Sequence, residues 1–164
     1  AMSKPKTHTK GYKHFDNITL TEHPPFVAPS GSRSTWTLVD MDTLVNALLP
    51  HVAGAGDGDK YKAPAIRDAV SQLNSRLIRG AEKKEKGVRD KIAECMGIYK
   101  AVTYLKTRSG GSWDDELGAN ITTETEDMIW KELVLSRPEC GPFRNSGWPP
   151  YALFEKLDPS KPKG

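Results

Sequence analysis

The chain has 164 residues, with 24 Lys and Arg against 21 Asp and Glu and a formal charge of +3. That length suits one domain with tails, and a 37% share of hydrophobic residues supplies one modest core. Two cysteines, Cys95 and Cys140, are too few for a disulfide framework or a cysteine metal set, and no apolar run approaches the roughly 18 residues of a membrane span.

Charge is unevenly spread. Residues 1–34 carry a net +3, residues 35–110 a net +4 and residues 111–164 a net −4. A basic front and an acidic back predict two faces with different partners. Residues 1–33 hold Lys4, Lys6, Lys10, Lys13 and four prolines, with no sustained apolar period. They are expected to form a flexible basic arm, serving as a linker or following a phosphate backbone or groove. No charged-then-apolar leader opens the sequence, so the Asn-Ile-Thr sequons at Asn17 and Asn120 are expected to escape glycosylation.

The first helix is expected within "STWTLVDMDTLVNALLP", capped by Ser34 or Thr35. Met41, Leu44, Val45, Leu48 and Leu49 follow i, i+3, i+4, i+7, i+8, and Trp36 plugs the core beside them. Pro50 ends or kinks this helix. The "GAGDGDK" loop that follows lacks the spacing and strand-turn-helix context of a phosphate loop. The second helix is expected over about 62–77, with Pro64 in its first turn and Ile66, Ala69, Val70, Leu73 and Leu77 on one face.

The third helix is expected over about 84–106. Val88, Ile92, Cys95, Met96, Tyr99 and Val102 share its buried face, with Cys95 as a buried thiol. "RSGGSWDDELGANITTE" is a loop. A fourth helix starts near Thr123, capped by Thr122 or Thr123, with Met128, Ile129, Trp130, Leu133 and Val134 as its apolar material. It stops before Pro138, and a short fifth helix is expected around 151–157, before a tail over 158–164. No alternating strand pattern occurs, so the expected fold is all-α.

Three stretches in this order resemble one family. They are "WTLVDMDTLVNALLPHV", then "YKAV" ahead of "RSGGSWDD", then "ETEDMIWKELVLSRPECGPFRNSGWPPY". The chain from Trp36 to about residue 157 resembles the Myb/SANT-like domain family of plants and fungi, related to trihelix factors and to proteins of Harbinger-type transposons. The resemblance implies a three-helix core of helix-turn-helix type plus two C-terminal helices over 34–157. Trp36, Ile66 and Ile92 would stand where such repeats place one bulky core residue per helix. It also implies a nuclear protein that binds double-stranded DNA, as a transcriptional regulator or a transposon-derived protein, with the third helix in the major groove. No close Ser/His/Asp set, metal-ligand spacing or phosphate loop occurs in the sequence, so no enzyme is expected.

By matching position, that role falls to Lys83, Lys84, Lys86, Arg89, Lys91 and Lys100. Arg76 and Arg79 would hold the backbone, and Lys10 and Lys13 of the arm would assist. The sequence departs from the family at the centre of this helix. With Ile92 at the middle of the buried side, the opposite side reads Lys83, Gly87, Asp90, Glu94, Gly97 and Ala101. Two carboxylates there meet phosphate repulsively, about 1 kcal/mol each at 5 Å in high dielectric.

The alternative is a protein-interaction module with weak or no DNA binding, using Asp90 and Glu94 on the third helix and Trp113 and Trp148 in the acidic back half. Trp113, Trp130, Phe143 and Trp148 read most simply as core or staple residues, and Arg144 as the holder of a turn by a salt bridge. His8, His14, His23 and His51 are scattered, and "DDE" at 114–116 is a solvated loop rather than a dispersed catalytic triad. No metal, cofactor, small-molecule substrate or membrane is expected.

Overall fold

A computed structural model of the chain describes residues 34–55 and 60–161. The arm over 1–33, including Lys10 and Lys13, lies outside the described residues. Five α-helices follow in order: α1 (Leu38–Leu48), α2 (Ala63–Ser75), α3 (Glu85–Thr107), α4 (Glu124–Ser136) and α5 (Tyr151–Glu155). Two 3-10 turns, Leu49–Gly54 and Pro138–Phe143, follow α1 and α4. The described residues contain no strand, and the fold is all-α.

The start of α1 differs from expectation. Thr37 is its cap, not Ser34 or Thr35. The Thr37 hydroxyl accepts from the Asp40 N–H at 3.1 Å, and the Asp40 carboxylate accepts from the Thr37 N–H at 3.0 Å. This reciprocal box satisfies two backbone donors that a helix start leaves open. Ser34 and Thr35 instead pass over the turn between α2 and α3. A side chain at Gly80 would strike Thr35 there, and Gly80 adopts φ +88°, a conformation that glycine adopts without a steric penalty.

α2 begins with Pro64 in its first turn and ends two residues short of expectation. The cause is a two-pronged contact. The Asn74 side chain accepts from the Lys83 N–H at 2.7 Å and donates to the Lys83 carbonyl at 2.9 Å. The end of α2 is thereby tied to the entry of α3.

α1 packs on α2, α2 on α3, and α5 on both α3 and α1, while the second 3-10 turn fits between α3 and α4. One continuous core results. It holds Trp36, Met41, Leu44 and Leu48, then Ile66 and Leu73, then Val88, Ile92, Tyr99 and Val102. Trp130, Phe143, Trp148 and Phe154 close it from the C-terminal half.

The loops on either side of α4 clasp each other. The Ala119 N–H donates to the Phe143 carbonyl at 2.8 Å, Gly147 N–H to Glu116 O at 3.0 Å, and the Asn145 side chain to Ile121 O at 3.2 Å. Gly118 and Gly147 sit so close to the opposing backbone that neither has room for a Cβ. Arg144 secures the clasp through a 2.8 Å ion pair with Asp127, the turn-holding role read from its sequence position.

α4 departs from expectation most. Thr123 caps it as read, but of its apolar residues only Trp130 is buried. Leu133 and Val134 are half-buried, while Met128, Ile129 and Leu135 are 72%, 58% and 84% exposed.

Candidate nucleic-acid interface

With 23 residues α3 is the longest helix, about 35 Å from end to end. Its two halves live in different surroundings. The C-terminal half is wrapped: Tyr99 stacks on Tyr151 at 4.9 Å, and the Arg137 guanidinium lies 3.7 Å from the Tyr104 ring centroid. The N-terminal half keeps one open face. Lys84, Lys86, Arg89, Asp90, Ala93 and Gly97 are exposed there, with Lys100 further along. Nothing lies within 4 Å of where a Cβ would stand at Gly87 or Gly97.

The cations expected to face outward divide into two groups. Lys84 caps the helix, and Lys86 reaches Asp90 at 2.8 Å. That hydrogen bond, with the charge behind it, raises the Lys86 pKa. Arg89 donates to the Tyr61 carbonyl at 3.1 Å, which steadies its long side chain. Arg76 is exposed at the end of α2, and Arg79 is half-buried in the turn.

Lys83 and Lys91 do not face outward. They are 3% and 5% exposed, and their ammonium groups lie 5.0 and 5.6 Å from the Trp36 ring centroid. Lys83 also donates to the Thr35 carbonyl at 2.5 Å and stands 3.7 Å from the Asp40 carboxylate. Burial lowers the Lys83 pKa, opposed by Asp40. The physical reason is the position of Trp36. It precedes α1 and meets the flank of α3, where the apolar stems of two lysines cover it and their charges bind its π-face.

The same contact changes the carboxylates. Glu94 meets the Lys91 ammonium at 3.1 Å, so its charge is answered by a buried cation. Asp90 is exposed but paired with Lys86. Ala101, placed by the sequence on the outer side, is buried. The open ridge therefore runs through Lys86, Arg89, Asp90, Ala93, Gly97 and Lys100, turned away from the line through Lys83 and Ala101.

The four residues proposed for a protein partner do not form one surface. Asp90 and Glu94 lie on the first half of α3. Trp113 is half-buried, its indole N–H donating to Asp115 at 3.0 Å. Trp148 is buried and stacks on Phe154 at 5.6 Å, a core residue rather than an exposed anchor. The three most exposed large apolar residues, Met128, Ile129 and Leu135, are on α4 instead. Sequence reading named Met128 and Ile129 as apolar material of this helix and passed over Leu135, because a helix rich in apolar residues does not reveal how many neighbours will reach it.

Among the described residues no three of His, Cys, Asp and Glu gather as a metal site, and no helix is long and apolar enough to cross a membrane. Comparison of the chain with family models, with curated proteins and with solved structures returned no match.

Proposed function

We propose that this chain is a DNA-binding module of Myb/SANT-like type. It lays the first half of α3 in the major groove of a duplex, in a nuclear regulator or a transposon-derived protein. The observation that carries this reading is the open ridge of α3. Lys84, Lys86 and Arg89 are exposed on it, and Arg76 and Arg79 flank it from the preceding turn. Ala93 and Gly97 keep the middle of the ridge low, so the helix backbone can approach a groove closely. The pairing of Glu94 with Lys91 removes one of the two repulsive carboxylates that the sequence placed there. Binding, not catalysis, is the activity this surface supports.

The test is fluorescence anisotropy with a random-sequence duplex pool, followed by selection of bound duplexes. Six accessible cations, Arg76, Arg79, Lys84, Lys86, Arg89 and Lys100, give a slope of log affinity against log salt of about −5. Lys86→Glu with Arg89→Glu abolishes binding, and Asp90→Asn tightens it. A flat pool with no salt-dependent binding overturns the reading.

A second reading has its own observation. Met128, Ile129 and Leu135 expose an apolar face on α4, and large exposed apolar residues close together mark contact surfaces. This favours a protein partner at the acidic end, compatible with a duplex at the basic end.

A further inference from the structure

Beside the C-terminal half of α3 lies a cavity of about 210 Å3. Trp113 and Tyr151 form its aromatic walls, with the buried Trp148 behind them, and Asp115, Glu155 and Lys106 supply its charges. The rings are held in place before any ligand arrives. Tyr151 stacks on Tyr99 and shares a 3.0 Å hydrogen bond with the Thr103 hydroxyl. Trp148 stacks on Phe154, and the Trp113 indole is fixed by Asp115. Fixed aromatic faces with carboxylates at the rim attract cations, through the ring quadrupole and through charge.

One cation is already there. The Lys106 ammonium lies 4.3 Å from the Tyr151 ring centroid and 3.7 Å from Asp115. It neutralises one of the two carboxylates and leaves the other in excess. A primary ammonium suits such a site imperfectly, because its three N–H donors are strongly hydrated and rings cannot replace that water. A methylated ammonium carries the same charge behind apolar methyl groups, which bury against indole and phenol faces at little desolvation cost. Lys106 sits on a flexible stem, 31% exposed at the side chain, and can swing into solvent.

We propose that this cavity binds a methylated ammonium group and that Lys106 is its built-in competitor. Two sources share that chemistry: a trimethylated lysine on a protein, and a free choline-like molecule. The site is separate from the α3 ridge and does not depend on DNA binding.

The experiment follows the tryptophan indole NMR signals of the full chain during titration with tetramethylammonium chloride, with sodium chloride at matched ionic strength as control. A saturable shift at Trp113 with tetramethylammonium, absent with sodium, is expected. Lys106→Ala is expected to tighten binding about two- to fivefold, the worth of one exposed cation–π contact. Glu155→Gln is expected to weaken it, and thermal melts confirm that both variants fold. Parallel arms use choline and a short peptide with or without a trimethylated lysine, and the tighter of the two identifies the source. Equal responses to both salts overturn the proposal, as does the absence of saturation in both wild type and Lys106→Ala. An unchanged affinity in Lys106→Ala overturns the competitor role.

Discussion

At the scale of single residues, the pair of lysines around Trp36 decides most. Burying an ammonium is costly unless its charge is answered, and removing one partner of a buried pair leaves the other exposed to that cost. Lys83→Met keeps the apolar stem over Trp36 but strips Asp40 of its cation. It is expected to lower stability by about 3 kcal/mol in urea unfolding. Lys91→Met should cost about 1 kcal/mol, because Glu94 retains contact with water. Neither variant should change the salt slope of the proposed DNA binding, whereas Lys86→Ala should reduce it by about one. Cys95 makes a second residue-scale prediction. Burial pushes its thiol up to about 12 from an ordinary 9.0. Below about pH 9 the thiol is protonated in both folded and unfolded chains. Above it the unfolded chain loses the proton first, so stability falls as pH rises, by about 1.4 kcal/mol per unit up to the folded value. Comparing wild type with Cys95→Ala by urea unfolding, at about pH 8 and about pH 11, isolates this loss.

At the scale of elements, α4 tests how apolar content relates to core. Trp130→Ala should cost about 3 to 5 kcal/mol, while Met128→Gln and Leu135→Gln should each change stability by about 0.5 kcal/mol or less. Thermal melts of the three variants separate a core helix from one that is half surface. The buried stripe of α3 was legible in the sequence, because Val88 through Val102 repeat at the helical period and the repeat has only one solution. The cap of α4 was legible, since Thr123 with an acid three positions on carries its own geometry; the cap of α1 was misplaced at Ser34 or Thr35, although Thr37 and Asp40 offer the same spacing. Lys83 and Lys91 were not legible. Their burial depends on Trp36, roughly fifty positions earlier, and periodicity says nothing about contacts at that distance. The aromatic cavity was missed for a related reason. Trp113 and Trp148 were singled out together as anchors for a partner, but nothing in the sequence joined them to Tyr151; the clasp between their loops does.

At the scale of the whole molecule, the clasp unites what the charge pattern divides. The basic front is built from α2 and α3, and the acidic back from α4, α5 and the loops between. Backbone hydrogen bonds join the loop at 116–119 to the one at 143–147, and the 3-10 turn that ends at Phe143 packs on α3. Gly147→Ala forces a methyl group into the Asp115 carbonyl, and the expected loss is about 1 to 3 kcal/mol of stability. Because the clasp also sets the cavity walls, the same variant should weaken tetramethylammonium binding while leaving the salt slope for DNA unchanged. A duplex-binding defect in Gly147→Ala would mean that the two ends are coupled.

Asn74 carries a last consequence. A connection of nine residues between two helices ordinarily lets them swing. Here one amide grips both the N–H and the carbonyl of Lys83, so the second and third helices turn as a single lever. The direction in which Lys86 and Arg89 point is set by the fold itself. Loosening that grip, as Asn74→Ala would, leaves every charge in place and scatters their aim.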